Sequence, residues 1–431
     1  MAELSKKESA VDAKAYMAAA KEPALAKRMD DIVGTAFDNR ILFEKIPDPE
    51  VIKFTIGSPA VQAIPHEDIA KIATDLLNNP ENWLECLGYG PVEGKRELRE
   101  SIAKELLAPK GVHVTADDIL ITVGGIGGLG MTVQACMNAG DVVLVENPTF
   151  IQAELIFDLY GIKQVGVDMD ENGIIIEDLE AKIKKYNPKM LYTIPTFQNP
   201  SGRTLSRERR EKIAQLAEQY DMFVLEDDPY RDIRFHGTDI TPIKGFDKSG
   251  NVILINSFSK TFAPGLRLGY CVAEPRILQK IIDISIATNS HTPMLQQCIL
   301  AEYFRRGLFA NQVKRIADIY RPRCQALMDG IDKYFPEGTK RTTPEGGLFC
   351  WVTLPEGMDT EKLLMEARET PECKCAYITG EKSFVYQEGD KHITNCMRLA
   401  YGAIDEATIE AGCKRLGAFM TKKYEEMKNN K

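Results

Sequence analysis

Gly125, Gly127 and Gly130, in the stretch ITVGGIGGLG at 121–130, form a G-x-G-x-x-G directly behind an apolar run, Ile119 to Val123. Glycines at that spacing let a backbone approach a phosphate, which rests on the N–H groups opening a helix. In dinucleotide sites an acid about 20 residues further on reads the ribose. Glu146 stands 21 residues after Gly125, at the end of the next apolar run, so both tests for a nicotinamide site are passed. That reading leaves Asp227, Tyr230 and Lys260, at later strand ends, without a task. It also misplaces the motif, which normally opens a domain; here more than 100 residues precede it.

The elements that carry these residues are legible as a pattern. From 119 to 273 apolar runs alternate with helical patterns: ILITV (119–123), VVLVE (142–146), KQVGV (163–167), MLYTI (190–194), MFVLE (222–226), VILIN (252–256) and GYCVA (269–273). Several are continuously apolar and β-branched, as strands buried on both faces are. Between two of them, Ile213, Leu216, Ala217 and Tyr220 repeat at helical spacing, with Ser206 as the expected N-cap. Strands alternating with helices predict an α/β fold with a mostly parallel seven-stranded sheet.

Ligands of such sheets bind beyond the carboxyl ends of the strands. Five loops stand there. They are Gly124 to Gly128, Asn147 to Phe150, the PTFQNPSG loop with Asn199, Asp227 to Tyr230, and Ser257 to Lys260 running on to Arg267. Each alone has an ordinary reading: a turn at N-P-S-G, a strand end at Asp227, a core side chain at Phe150, a solvated Lys260. Five polar or glycine-rich loops at one edge are hard to call accidental.

After about 290 the character changes. A long helical stretch is expected over 293–333, ended by Phe335-Pro336-Glu337-Gly338, then a strand within 346–355 and helices over 360–369 and 405–427. The predicted division is an N-terminal arm and part of a small domain in 1–60, a large domain in 61–310 and a smaller α+β domain in 311–431. At 431 residues two domains are expected. A net charge of −9 weighs against a general nucleic-acid binder. No apolar run reaches the ~18 residues of a membrane span, and the N-terminus lacks a signal-peptide core, so a cytoplasmic protein is expected. Ten scattered cysteines and five histidines show neither paired zinc spacing nor H-E-x-x-H, so no metal is expected and the cysteines read as buried apolar residues.

The segment S-F-S-K-T-F-A-P-G-L-R-L-G-Y closely resembles the lysine segment of fold type I, class I/II pyridoxal-phosphate-dependent aminotransferases, the aminoadipate, kynurenine and aromatic or branched-chain enzymes above all. Matches run in family order from Gly57 to Arg398, with N-P-S-G, D-D-P-Y and S-x-S-K at suitable spacings. The resemblance implies the roles. Lys260 would form the Schiff base with pyridoxal 5'-phosphate, which requires an unprotonated amine. Asp227 would keep the pyridine nitrogen protonated, making the ring an electron sink. Tyr230 and Asn199 would bond the phenolic oxygen, and Phe150 would stack on the ring. Ser257, Ser259 and Arg267 would bind the phosphate, with the backbone N–H groups of Gly125 and Ile126 completing the cradle. Tyr89, in G-Y-G-P-V-E-G, would reach the phosphate of a neighbouring subunit, implying a homodimer with shared sites. Arg398, in M-R-L-A-Y-G, would clamp the substrate α-carboxylate, with Asn199, Gly57 and Gly347 on the substrate side.

Two departures stand out. Many relatives carry Ser or Gln where Gly125 and Ile126 stand, so backbone amides alone serve there. Phe150 replaces a frequent Tyr, keeping the stack and losing a hydroxyl. The implied reaction is ping-pong transamination of an L-amino acid with a 2-oxo acid, 2-oxoglutarate being the expected acceptor. A lyase or decarboxylase on the same fold is the alternative. A regulator of this fold would carry a winged helix-turn-helix, for which the 56 residues before Gly57 are expected to be too few.

Overall fold

The computed structural model describes residues 26, 28 and 48–429. Most of the expected N-terminal arm therefore lies outside the described residues. The centre of the molecule is a mixed sheet. Its main strands are β1 (Ile119–Val123), β2 (Val142–Asn147), β3 (Lys163–Asp170), β4 (Met190–Thr193), β5 (Phe223–Asp227), β6 (Val252–Ser257) and β7 (Leu268–Val272). In space they lie in the order β1-β7-β6-β5-β4-β2-β3, and the two-residue strand Gly173–Ile174 adds an eighth at the far edge. Strands β2 to β6 are parallel to their neighbours among themselves, whereas β7 runs antiparallel to both β1 and β6.

Every residue of β4, β6 and β7 is buried, because the sheet is covered on both faces. Side chains alternate between two cores, as the pleat demands. Ile253 and Ile255 of β6 join one cluster, while Val252 and Leu254 point to clusters on the other side. The helix Arg207–Gln219 forms as its spacing predicts, burying Ile213, Leu216 and Ala217, and the Ser206 side chain accepts from the Arg209 N–H. All ten cysteines are free and buried.

The expected helix over 293–333 is instead two, Met294–Arg305 and Phe309–Tyr334. Gly307, at φ 68°, ends the first. Its N–H donates to the Phe304 carbonyl and that of Leu308 to Tyr303, a left-handed cap that hydrophobic periodicity does not report.

The strands Lys340–Arg341, Phe349–Thr353, Cys396–Ala400 and Ile378–Thr379 form a second, antiparallel sheet. The early strand Ile52–Lys53 pairs in parallel with Cys375–Ala376, and the Ala400 N–H donates to the Phe54 carbonyl. These pairings bring Thr55 to Arg398 and Gly57 to Lys260, hundreds of residues later in the chain. No helix among the described residues is long and apolar enough to cross a membrane, and no His/Cys/Asp/Glu group there could hold a metal.

Candidate active site

Asp227 is the last residue of β5 and is buried. Its Oδ2 accepts from the Tyr192 hydroxyl at 2.9 Å, from the neighbouring β4. Burial pushes the Asp227 carboxyl up to about 7; the Tyr192 bond opposes this and the Asp228 charge adds to it. Tyr230, three residues on, is buried edge-to-face against Phe349, with ring centres 5.6 Å apart. Burial holds its phenol well above the ordinary range.

Asn199 joins Tyr230 to Arg398. Its Nδ2 donates to Tyr230 Oη at 3.4 Å, and its Oδ1 accepts from Arg398 Nη1 at 2.9 Å. Arg398 lies on the strand Cys396–Ala400, donates Nη2 to the Thr55 carbonyl at 2.9 Å and stacks 4.4 Å over the Phe349 ring. Its Nε is buried and has no partner among the described residues. Burial lowers this guanidinium to about 10. A part-buried cation whose enclosed Nε is left over as a donor is set up to receive an anion.

Lys260 follows β6, and its Nζ donates to the Gly57 carbonyl at 2.9 Å. Burial, then the Arg398 and Arg267 charges, lower its amine to about 8. Gly57 is glycine for a steric reason: a Cβ there would lie 2.8 Å from Phe349 Cζ.

A second cationic pocket sits beside it. Ser257 donates to Ser259 Oγ at 2.9 Å, and Arg267 Nη1 donates to Ser259 Oγ at 3.3 Å. Because β7 is antiparallel, its first residues come to the edge where β1, β5 and β6 end, and Arg267 directly precedes it. The glycine run does not form a separate loop; it opens the helix Gly124–Cys136 itself. Gly124 has φ 67°, and a Cβ there would lie 2.5 Å from Arg267 Nη2. A guanidinium against the positive end of a helix is unfavourable unless an anion lies between them. A single phosphate fits this place; Gly125 lies against Ser257, and Ile126 is exposed.

Phe150 is half-buried at the N-cap of the helix Ile151–Leu159. Gly347, at φ 74°, donates its N–H to the Ile233 carbonyl and packs on Phe197 of the PTFQNPSG loop. Tyr89 stands apart from these groups: it is 94% exposed and meets His291 edge-on. Residue types alone missed Tyr192, Thr55 and Phe349. Tyr192 had a signal, since a phenol in a strand buried on both faces needs a partner.

The model of the aminotransferase class I and II family matches residues 49–416. The chain belongs to that family. It is 33% identical to aromatic-amino-acid aminotransferase 1 of Thermococcus litoralis over 88% of this chain and 90% of that one. It is 32% identical to the 2-aminoadipate transaminase of Thermus thermophilus, over 88% and 92%. The structure of Pyrococcus horikoshii kynurenine aminotransferase superposes with a TM-score of 0.87 at 33% identity, covering 94% of this chain and 99% of that one. The fold is thus fold type I, the cofactor is pyridoxal 5'-phosphate, and the reaction is transamination between an amino acid and a 2-oxo acid.

Proposed function

We propose that Arg398 receives the α-carboxylate of an L-amino acid while Lys260 acts as base at its Cα. The observation that carries this reading is the buried Arg398 Nε left without a partner, in a guanidinium whose charge already bears on Lys260. Pyridoxal phosphate, when bound, supplies the electron sink that makes the Cα–H acidic. The Lys260 Nζ takes that proton, a task its lowered basicity suits. When the cofactor is bound, Asp227 would hold a proton on the ring nitrogen, Tyr230 and Asn199 would bond the phenolic oxygen, and Phe150 would cover the ring. Ser257, Ser259, Arg267 and the N–H groups of Gly125 and Ile126 hold the phosphate. Gly57 and Gly347 line the substrate side, where a side chain would intrude.

The relatives' names cover aromatic amino acids, 2-aminoadipate and kynurenine, and we take these as the expected donors, with 2-oxoglutarate as acceptor. Loss of the bound cofactor's yellow absorbance band on adding each amino acid tests the range. No bleaching by any of them would overturn it. Arg398→Ala is expected to lower kcat/KM by about 30-fold or more for donor and acceptor alike, since removing one partner of a buried charge pair costs roughly 2–5 kcal/mol. A loss confined to one of the two substrates would remove Arg398 from the carboxylate site.

Trp83, Leu84, Leu87 and Tyr89 form an exposed apolar surface, larger side chains than a lone subunit normally shows together. We take it as the face of a homodimer in which Tyr89 reaches the partner's phosphate. Sedimentation should find a dimer; a fully active monomer would refute the shared site. Ten free cysteines fit a reducing compartment, and we assign the enzyme to the cytoplasm, which cell fractionation checks.

A further inference from the structure

Glu146 is the acid whose spacing from the glycines fits a ribose-reading residue. It cannot read a ligand in this structure, because both its oxygens are taken by the protein. It is 1% exposed, one residue before the end of β2. Its Oε1 accepts from Thr193 Oγ1 at 2.6 Å; its Oε2 accepts from the Ile194 N–H at 3.0 Å and from Gln198 Nε2 at 3.1 Å. Gln198 extends the arrangement: its Nε2 also donates to the Pro148 carbonyl at 2.8 Å, and its Oε1 accepts from the Ser201 N–H at 2.7 Å. One carboxylate therefore fixes residues 193, 194, 198 and, through Gln198, 201. Asn199 lies inside that bracket.

The same segment is also held, between Ile194 and Gln198, by a buried cation. Arg210, fully buried on the helix Arg207–Gln219, donates Nε to the Leu205 carbonyl at 3.0 Å, and Nη2 to the Pro195 carbonyl at 2.8 Å and Thr196 Oγ1 at 3.1 Å. Neither charged group touches the reacting residues. Both are turned on the loop that carries Asn199, whose amide must meet Tyr230 and Arg398 at once. An ionised carboxylate is acceptor-only, which matches a hydroxyl, an N–H and an amide all donating to it. Those bonds also oppose the burial that pushes Glu146 up to about 7.

We propose that Glu146 is a positioning residue for Asn199, holding the 193–201 loop so that the Asn199 amide bridges Tyr230 and Arg398 in one geometry. The proposal rests on the reading of Asn199 as a cofactor and substrate contact. The test uses the holoenzyme and the variants Asn199→Ala, Glu146→Leu, Glu146→Gln and the double variant Glu146→Leu/Asn199→Ala. Two quantities are read: kcat/KM, and the pH midpoint of the bound cofactor's absorbance band, which a merely structural role would leave in place.

Asn199→Ala should move the band midpoint and lower kcat/KM. Glu146→Leu should move the midpoint the same way and lower kcat/KM by about 10-fold or more, because its loop donors lose their acceptor. Glu146→Gln should stay within about 3-fold, since its carbonyl can accept from Ile194 and Gln198 while its amide donates to Thr193 Oγ1. In the double variant the losses should not multiply, because the second acts through the first. Losses that multiply in full, or a folded Glu146→Leu with an unmoved midpoint, would overturn the proposal. An Asn199→Ala enzyme with unchanged constants and band would overturn the reading of Asn199, and the proposal with it. Should Glu146→Leu not fold, Thr193→Val removes one of the same contacts: a smaller shift in the same direction supports the proposal, and no shift refutes it.

Discussion

Lys260→Ala is expected to fold, to bind cofactor without a covalent link, and to turn over about 10⁴-fold more slowly, the upper range for a positioned proton carrier. The Lys260 amine lies beside Gly57 at this edge, and its lowered basicity sets it apart from the guanidinium groups of Arg398 and Arg267, which stay charged. Its chemistry depends on being neutral. Burial first, then the charges of Arg398 and Arg267, bring it down to about 8. The neutral form exists above that value, so cofactor uptake by the empty protein should accelerate from pH 6 to 9 with a midpoint near 8. An unperturbed lysine would need pH above 10. Borohydride reduction followed by peptide mass analysis checks the residue: the segment holding Lys260 should gain the cofactor's mass in the wild type and not in the variant. A variant that keeps activity within about tenfold would dismiss Lys260 as the base.

What the sequence shows of this site follows from what local patterns can encode. The strands are legible because a sheet covered on both faces demands continuous β-branched runs, and the loops at their ends then announce themselves by polarity. Ser206 is legible as a cap because capping is a local bond. Direction within the sheet is not local. Only the sheet order shows that β7 reverses and so delivers Arg267 to the edge where Ser257 ends. Thr55 reaches Arg398, and Gly57 reaches Lys260, through pairing between Ile52–Lys53 and Cys375–Ala376, a contact across most of the chain. The break at Gly307 escapes a periodicity argument because the apolar spacing resumes beyond it. Glu146 is the instructive decoy: its spacing from the glycines fits a ribose acid, yet the groups that occupy it come from residues 193 to 198.

Asp227→Asn should move stability and activity in opposite directions. In the cofactor-free protein Asp227 keeps its proton up to about pH 7, whereas an unfolded chain releases it near the ordinary 3.8. Between those values the folded state binds more protons, so stability falls as pH rises, and above 7 the full cost of a buried, unpaired charge remains. Asparagine carries no such cost, and its Oδ1 can still accept from Tyr192. The empty variant should therefore melt above the empty wild type at pH 8 and with it near pH 4; the span from 3.8 to about 7 limits the gain to about 4 kcal/mol. Glu146 and Glu226, also pushed up to about 7 by burial, give both proteins a common downward slope, so the difference between the two curves is the quantity to read. With cofactor present the order should reverse. In the proposed site a protonated ring nitrogen would give the Asp227 carboxylate the partner it lacks, so the cofactor should raise the melting temperature of the wild type more than that of the variant. Turnover should fall about 10³-fold in Asp227→Asn, the scale of losing one preorganised electrostatic contact at the reacting centre. An empty variant that is less stable at pH 8 would refute the burial cost assigned to Asp227, and a loaded one that turns over normally would mean that Asp227 does not face the ring nitrogen. The burial that makes this carboxylate a liability in the empty protein is what strengthens its hold on a cation, and the same side chain cannot be optimised for both.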